Sequence, residues 1–561
     1  MRVIKRTAAL ATTAVLAVVM AACGTAGQSG PTGPVETPES LASRTPEYNP
    51  QPYENIRDGG TLTTAIPEIN PQFNVFQADM TADTRTVWNW YNPIFITFTP
   101  EGAAQFNPDF LTDVREETVD GNTRITYTIN PAARFNDGTP IDWRVFEALW
   151  TASSGRNPAY LVNSTDGYDR ITSVTPGVDD RQAVATFDGV NVWWEGLFNN
   201  VLHPAALAPD VFNQGYINTP HPEWGAGPYT VDRFDQQTGT ISFTRNPNWW
   251  GAPGKLDNRT FLTMEASASI NAFRNGQIDA TGVSTHDRLV QVQDMPGIEI
   301  RRSTTPAIFL FTLNSKSPVL SDPQVRKAVF QGIDRVQLGE ILFQGLGYKE
   351  DPPGSLNLLP FQKGYQDNFS KVVTFDPAAA GAALDAAGWV PGPDGIRTRD
   401  GQPLQFTYVQ TGDSPTSRAV ASAVAAMLRE IGINLQVRQV PSSDFSKIAA
   451  NREFDMFFSG FRQSDPFGVA YICQVWCSTS TLNASGTNDP ALDAEVQSVN
   501  RLPTEEEQVA KASEIELKAF GTYGLMPVYS GPTIVAVKQG LANVGASLFY
   551  TALPQNVGWQ K

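Results

Sequence analysis

Cysteine and histidine are scarce in this sequence of 561 residues, which holds only three of each. His203, His221 and His286 do not cluster at a spacing that would let them share a metal ion. A zinc site built on the two later cysteines would need two or more further ligands. We therefore expect no metal and no cofactor.

Positive charge is also scarce, because 41 Lys and Arg residues stand against 57 Asp and Glu residues, for a net charge of −16. No basic stripe with interleaved aromatic residues is present. Proteins that bind nucleic acid or dock electrostatically on anionic lipid carry such stripes. The charge pattern therefore argues against both of these partners.

Familiar catalytic motifs are missing as well. The sequence contains no GxSxG, HExxH, SxxK or P-loop pattern. Gly412-Asp413-Ser414 is similar to an esterase block, but no histidine stands in a supporting context. The sequence thus predicts a protein that is not an enzyme, and an extracytoplasmic hydrolase is kept as a remote alternative.

The chain has no apolar run of transmembrane length, and its longest one stands at the start. Arg2, Lys5 and Arg6 precede the mostly apolar residues 8–22, which are fewer than the roughly 20 needed to span a bilayer. Met20-Ala21-Ala22-Cys23 then resembles the lipobox of bacterial lipoproteins. The resemblance implies a signal peptide over residues 1–22 and thioether attachment of diacylglycerol to Cys23. An ordinary secretory signal with an incidental cysteine is the alternative.

The residues that follow Cys23 are rich in Gly, Pro, Ser, Thr and Glu and hold few large aliphatic side chains. Such a segment buries too little apolar surface to offset the entropy lost on ordering. We expect residues 23–57 to be a flexible tether. The mature protein would then lie outside the cytoplasmic membrane, bound to it by lipid.

About 500 residues remain after the tether, which is more than one hydrophobic core usually holds, so we expect two or three domains. Residues 59–260 carry strand signals. Residues 123–129 alternate apolar with polar side chains, and residues 229–244 have the pattern of a hairpin.

From residue 322 onward, the pattern changes to helices that alternate with strands. Asp-Pro pairs at 322–323, 376–377 and 489–490 predict helix starts, since Asp caps free amide groups and Pro fits the first turn. Residues 417–431 predict a further helix and residues 433–437 a strand. This alternation favours an α/β domain with a largely parallel sheet.

Several blocks resemble the large solute-binding proteins of ABC importers, in the family that includes dipeptide- and oligopeptide-binding proteins. They are "RFNDGTPIDW" within 124–150, "GAGPYTVDRF … RNPNWW" over 225–250, "AFRNGQIDA" over 272–280, "LNSKSPVLSDPQVRKAVFQGIDR" within 309–335, and the "AGW … DG … DGQPL" pattern within 376–403. The blocks occur in the family's order, behind a lipobox.

The resemblance implies an α/β fold of the periplasmic-binding-protein type, a clamp of two α/β lobes with an additional inserted domain. It implies a split domain I (58–95, 204–308 and 530–561), an inserted domain II (96–203) and domain III (309–529). Hinge strands would lie near 308 and 530, with the ligand cleft between domains I and III.

The function that the resemblance implies is capture of a peptide or other small solute, followed by delivery to an ABC permease and ATPase complex. We expect a monomer. A member of the same family that serves envelope glycolipid biosynthesis or signalling, without import, is the main alternative.

Family members line the cleft from a few places, and the matching positions here are candidate ligand contacts. The first segment, residues 74–92, offers Trp88, Trp90 and Tyr91. The "FD … DP" block of domain III and the residues after it offer Phe461, Arg462, Asp465, Tyr471 and Trp476, and Tyr529 lies near the crossing back to domain I. For each of them a purely structural role is an equal alternative.

The two remaining cysteines, Cys473 and Cys477, flank part of this segment. In an oxidising compartment we expect them to form a disulfide. The loop it closes is tiny, so the stabilisation is about 2 kcal/mol at most.

Arg462 departs from the family pattern. Peptide-binding relatives hold the ligand's α-amino group with an aspartate four residues before the proline of the "DP" loop. Here that position, counted from Pro466, is Arg462, and Asp465 has the place of a loop cap. A buried guanidinium repels an ammonium group and prefers a carboxylate or phosphate. We hypothesise that the free-amine anchor is not used, the alternative being that Arg462 points to solvent.

Overall fold

The computed structural model describes residues 35–487 and 489–561. Its helices are α1 (Pro38–Ala42), α2 (Ala82–Trp88), α3 (Trp143–Ser153), α4 (Ala266–Arg274), α5 (His286–Leu289), α6 (Pro323–Gln331), α7 (Arg335–Phe343), α8 (Phe369–Val372), α9 (Pro377–Ala386), α10 (Pro415–Glu430), α11 (Phe445–Asn451), α12 (Ile472–Trp476), α13 (Pro490–Val499) and α14 (Glu505–Phe520). None of the helices in these described ranges combines the length and the apolar character needed to cross a membrane.

The strands are β1 (Thr61–Ile66), β2 (Ile96–Phe98), β3 (Ala104–Phe106), β4 (Leu111–Val119), β5 (Asn122–Ile129), β6 (Ile171–Pro176), β7 (Gln182–Phe187), β8 (Tyr229–Asp235), β9 (Thr240–Arg245), β10 (Asn258–Thr263), β11 (Ala280–Gly282), β12 (Ile298–Thr304), β13 (Ala307–Leu313), β14 (Val390–Pro391), β15 (Arg397–Arg399), β16 (Gln402–Pro403), β17 (Gln405–Thr411), β18 (Asn434–Val440), β19 (Met456–Arg462), β20 (Leu525–Tyr529), β21 (Pro532–Lys538), β22 (Leu541–Ala542) and β23 (Gly558–Trp559).

The three largest of the six sheets in the described residues organise the chain. A seven-stranded sheet has the order β12-β21-β11-β1-β10-β9-β8, and a four-stranded sheet has the order β4-β5-β7-β6. A five-stranded sheet, β18-β17-β19-β13-β20, holds strands from residues 307–529 only. We call residues 58–304 and 532–561, which carry the first two sheets, the first lobe, and residues 307–529 the second lobe.

The chain passes between the seven-stranded and the five-stranded sheet at residues 305–306 and again at 530–531. The two crossings lie side by side. The Thr305 N–H donates to the Gly531 carbonyl (3.2 Å), and the Ser530 hydroxyl donates to the Ala307 carbonyl (2.6 Å). The lobes are thus joined by a paired double crossing of extended chain.

Local patterns in the first lobe are confirmed. Along β5, Ile125, Tyr127 and Ile129 are buried, and the threonine at 123 is buried with them. β8 and β9 form the hairpin, with Phe234 opposite Ile241. The alternation of apolar and polar residues was sufficient to predict these strands, because one face of each strand packs on the core.

The three Asp-Pro helices are confirmed as α6, α9 and α13. Asp322 accepts a hydrogen bond from the N–H of residue 324 (2.8 Å), Asp376 from that of residue 379 (2.9 Å) and Asp489 from that of residue 491 (2.9 Å). These short-range caps form within one turn, so they depend on local sequence alone.

The expectation of a largely parallel sheet holds for only part of the sheet in the second lobe. β17 runs parallel to both β18 and β19, but β13 is antiparallel to both β19 and β20. The reason is the double crossing: β13 enters the sheet from one crossing, and β20 leaves through the crossing beside it. Adjacent strands that enter and leave at the same edge must run in opposite directions.

The flexible-tether prediction is also wrong for its described part, residues 35–57. The Glu36 N–H donates to the Gly347 carbonyl (2.7 Å), and the Ala546 N–H donates to the Glu47 carbonyl (3.0 Å). Leu41 in α1 and Ile56 are fully buried. A few buried apolar side chains and backbone hydrogen bonds order this arm. The prediction missed them because it used only the average composition of the segment. The signal peptide, Cys23 and the first part of the tether lie outside the described residues.

Candidate functional site

Four contacts between carboxylates and hydroxyl residues connect the lobes. Glu265 of the first lobe accepts hydrogen bonds from the N–H (2.7 Å) and the hydroxyl (2.7 Å) of Ser442. Glu68 is bound in the same way by the N–H and the hydroxyl of Ser446. In the third contact the carboxylate belongs to the second lobe: Asp413 accepts hydrogen bonds from the N–H and the hydroxyl of Ser267 in the first lobe.

The fourth contact joins the Thr416 hydroxyl to Asp287 (2.9 Å). Each of the four connects a residue near the start of a helix to a carboxylate of the opposite lobe. The lobes are therefore held in a closed arrangement.

The part of the first lobe that contains the four-stranded sheet also contacts the second lobe. Asp166, which is buried, accepts hydrogen bonds from the N–H groups of Cys473 (3.2 Å) and Gln474 (2.8 Å). Burial raises the pKa of Asp166 to about 7, against the lowering effect of these hydrogen bonds. The Trp193 indole donates to the Gln508 amide oxygen (2.6 Å). A small cavity lies at this contact, beside Tyr471.

On the first lobe, the polar side of α2 lies where one wall of the predicted cleft would be. The Thr81 hydroxyl caps this helix, and Val87 and Trp88 anchor it in the core, so that residues 83 and 85 face outward. Asp83 makes no hydrogen bond within the described chain, and burial raises its pKa to about 7. Glu68 raises it further, while Arg462 opposes the shift.

The opposite wall is the end of β19 and the loop that follows. Arg462 closes the strand, and its side chain is accessible to solvent. Burial nevertheless lowers the pKa of Arg462, with Asp83 as the charged neighbour that opposes this shift. The exposure of Arg462 agrees with the alternative prediction, in which this side chain points to solvent, and not with a buried guanidinium.

Asp465 has a loop-capping position beneath this wall. It is 1% exposed and accepts hydrogen bonds from the Phe467 N–H (3.0 Å), the Tyr471 hydroxyl (2.6 Å) and the Ser464 hydroxyl (3.1 Å). Burial raises the pKa of Asp465. Its oxygens are therefore already engaged, and they are not placed as a free partner for a ligand amine.

Arg85 is the residue of α2 that faces this loop. It is half-buried, and burial lowers its pKa against the opposing influence of Tyr471, Asp465 and Tyr168. The one hydrogen bond of its guanidinium within the described chain runs to the Asn200 side-chain oxygen (3.2 Å). The cleft thus places Asp83 opposite Arg462, and Arg85 opposite Asp465.

The aromatic candidates divide into core and cleft. Trp88 and Tyr91 are 1% and 0% exposed and pack on each other in the first lobe, so their assignment to the cleft wall is corrected to a core role. Trp90 is half-buried against Tyr229 and above Arg259, also within the first lobe.

In the second lobe, Trp476 is buried against Phe520, which corrects its assignment in the same way. Tyr529 and Phe461 are half-buried, and Tyr529 stacks on Phe309 with ring centroids 4.7 Å apart. Cys473 and Cys477 are joined by a disulfide, with Cα atoms 4.6 Å apart. Large aromatic side chains occur both in hydrophobic cores and at binding surfaces. A sequence pattern therefore cannot distinguish the two roles.

Asp465 and Tyr471 share a hydrogen bond, and Arg85 is a charged neighbour of both, while Asp83 is the charged neighbour of Arg462. Sequence reasoning missed Asp83 and Arg85. Both residues lie inside the segment 74–92 that was singled out for its aromatic residues. The signal that could have found them is the polar face of the short helix after the Thr81 cap. In the part of the chain that is described, no cluster of three or more His, Cys, Asp or Glu residues could hold a metal ion.

Comparison with known proteins places this geometry in a family. The model of "Bacterial extracellular solute-binding proteins, family 5 Middle" matches residues 105–483. The oligopeptide-binding protein OppA of Mycobacterium tuberculosis is 33% identical over 520 residues, covering 91% of this chain and 87% of that protein. The "probable monoacyl phosphatidylinositol tetramannoside-binding protein LpqW" of the same species is 27% identical over 508 residues, covering 83% and 76%.

Among solved structures, the periplasmic EDTA-binding protein EppA superposes with a TM-score of 0.75 at 25% identity, covering 92% of this chain and 98% of its own. The chain belongs to family 5 of the bacterial extracellular solute-binding proteins.

Proposed function

We propose that this protein captures a peptide-like solute between its two lobes and delivers it to an ABC permease and ATPase complex. The observation that carries the proposal is that two lobes joined by a double crossing bring Asp83 and Arg462 near each other, and neither side chain makes a hydrogen bond among the described residues. The name of the OppA relative supports a peptide-like ligand.

The double crossing is built to act as a hinge. Glu350 of the second lobe accepts hydrogen bonds from the N–H groups of Ser530 (2.7 Å) and Gly531 (3.0 Å) and from the Tyr348 hydroxyl (2.6 Å). These bonds fix residues 530 and 531 to the second lobe, so we expect this crossing to bend after Gly531, where the chain enters β21. Solute binding then stabilises the closed form by its greater affinity for that form.

The cellular setting belongs to the same proposal. Cys23 would carry the lipid that holds the protein at the outer side of the cytoplasmic membrane, and the monomer would work there as three domains with the boundaries given above.

The test is recovery of solute from the purified protein. Native mass spectrometry of the detergent-solubilised full chain should show a co-purifying small molecule, and its removal should increase the radius of gyration in solution scattering. A protein that carries no solute and keeps one radius of gyration with and without peptide pools contradicts the proposal.

The mode of peptide binding is a separate part of the proposal. With Arg462 at the anchor position and the oxygens of Asp465 engaged, the free-amine anchor is not used. Calorimetry with matched peptides that bear free or acetylated N-termini tests this point. A large preference for the free amine that Asp465→Asn abolishes would restore the ordinary anchor.

A second candidate function is the binding of an envelope glycolipid, in biosynthesis or signalling without import. The observation that favours it is the similarity to LpqW, whose name describes a phosphatidylinositol mannoside ligand. A glycolipid should then raise the melting temperature of the solute-free protein where peptide pools do not. Hydrolysis assays on the same preparation test the remote hydrolase alternative.

A further inference from the structure

The first residues of the N-terminal arm pair with the second lobe. The Glu36 N–H donates to the Gly347 carbonyl (2.7 Å), and the Lys349 N–H donates to the Glu36 carbonyl (2.9 Å). The next residue of the second lobe is Glu350, which accepts hydrogen bonds from the N–H groups of one of the two crossings. Glu36 is thus attached to the part of the second lobe that holds this crossing.

A few residues further along, the same arm is fixed to the first lobe. The Ala546 N–H donates to the Glu47 carbonyl (3.0 Å), and the Arg302 N–H donates to the Glu47 carboxylate (2.8 Å). Tyr48 packs on Tyr550 with ring centroids 4.6 Å apart. Arg302 lies on β12, the strand that leads into the other crossing. The arm therefore links the two lobes beside the hinge, in addition to the two covalent crossings.

Ion pairs keep the segment between these two ends short. Arg44 pairs with the carboxylates of both Glu36 and Glu47. The Arg302 guanidinium of the first lobe lies 3.5 Å from the Glu36 carboxylate and donates to the Leu346 carbonyl of the second lobe (3.3 Å). The segment cannot lengthen without breaking one of these pairs, so it has little slack to follow a movement of the lobes.

Leu41, in the short helix α1, packs in an apolar cluster that both lobes share. It is 2% exposed, and the cluster contains Ile270 and Ile534 of the first lobe and Phe343 and Leu346 of the second. Apolar surface that two bodies bury together is returned to water when the bodies separate. Burial of Leu41 therefore favours the arrangement in which the lobes are close.

We propose that residues 36–47 form a strap across the hinge, which stabilises the closed arrangement and detaches from the second lobe as the lobes open. The inference rests on the proposed opening at the double crossing and adds a segment that controls it. Rotation of the lobes about the crossings displaces Gly347 and Lys349 relative to Glu47, so the hydrogen bonds of Glu36 break. Each such bond contributes little by itself, so the strap detaches without unfolding either lobe.

The experiment measures the ratio of closed to open protein by fluorescence energy transfer between dyes on the two lobes, in the solute-free, detergent-solubilised full chain. Deletion of residues 36–43 removes the pairing with the second lobe and Leu41, and it keeps Glu47 on the first lobe. We expect the ratio to fall by roughly tenfold or more, since two backbone hydrogen bonds and an apolar contact are lost. Deletion of residues 25–32 removes the same length of chain ahead of the strap and should leave the ratio unchanged.

A point variant tests the strap with less risk to folding. Proline has no N–H, so Glu36→Pro loses the hydrogen bond to Gly347, and it also loses the carboxylate that Arg44 and Arg302 contact. We expect a smaller fall of the ratio, by about threefold or more. Glu36→Ala, which keeps both backbone hydrogen bonds, should retain more of the ratio than Glu36→Pro. Circular-dichroism melting verifies that each variant is folded.

An unchanged or increased ratio in both the 36–43 deletion and Glu36→Pro would overturn the inference, whatever the ratio in the native protein. An equal fall in the 25–32 deletion would overturn it as well, because the effect would then not belong to the strap. The proposed function is judged separately, by the co-purifying solute and the change in the radius of gyration, and it stands if the strap has no effect.

Discussion

Glu68 accepts two hydrogen bonds from Ser446, one from its N–H and one from its hydroxyl, and so joins the first lobe to the start of α11 in the second. Glu68 is also a charged neighbour of Asp83 in the cleft wall. The contact that closes the lobes and the side chain that faces the ligand space are thus electrostatically linked.

Glu68→Gln should shift the lobes toward the open form. The amide nitrogen that replaces one oxygen cannot accept a hydrogen bond, and a charge-assisted bond contributes about 1.5–3 kcal/mol. We expect the ratio of closed to open protein to fall by roughly ten- to a hundredfold. Fluorescence energy transfer between dyes on the two lobes measures this ratio. Glu54→Gln, at an exposed position of the arm, is the matched control, and an equal ratio in both variants contradicts the role assigned to Glu68.

The buried carboxylate of Glu516 should make stability depend on pH. Glu516 is 1% exposed and accepts hydrogen bonds from Asn368, Ser355 and the Leu356 N–H. Burial raises its pKa from 4.5 to about 7. The folded protein therefore favours the protonated form, and the stability from this group is complete below pH 4.5 and lost as the pH rises toward 7.

Glu516→Gln removes that titration. The difference in unfolding free energy between the native protein and the variant should be about 2–3 kcal/mol larger at pH 4.5 than at pH 8, on the basis of about 1.4 kcal/mol per pKa unit. Urea unfolding at the two pH values measures it. A difference that is the same at both values would show that Glu516 does not titrate in this range.

The disulfide between Cys473 and Cys477 should be present in exported protein. The two cysteines are four positions apart in the sequence. The disulfide lies in the segment where the Cys473 N–H donates a hydrogen bond to Asp166. Mass spectrometry without reduction should find this peptide two hydrogens lighter than its reduced form. Replacing both cysteines by serine should cost about 2 kcal/mol or less. Free thiols in freshly exported protein would remove the prediction.

Cys23→Ser should release the protein from the membrane or leave it unprocessed, because the lipid requires the thiol. Immunoblotting of soluble and membrane fractions, with the apparent mass of each band, gives the readout. Cys473→Ser is the control, since it removes a cysteine and keeps the lipobox. A Cys23→Ser protein that stays membrane-bound at the processed size would show that the anchor lies elsewhere.

The sequence alone determined the features that short-range interactions decide. The Asp caps of α6, α9 and α13, the alternation along β5 and the hairpin of β8 and β9 need only neighbouring residues. The motif blocks, which occur in the family's order, were sufficient to identify the family, because the loops and turns that they encode depend on local chemistry.

Only the tertiary structure decided the direction of the strands and the composition of the cleft. β13 and β20 run antiparallel because the two crossings stand side by side, a relation between residues more than 200 positions apart in sequence. Trp88 and Tyr91 carry the same local signal as a cleft aromatic, and it is the packing of the first lobe that buries them. Asp83 and Arg85 face Arg462 and Asp465 only because the lobes close, so no pattern within either segment could reveal their pairing.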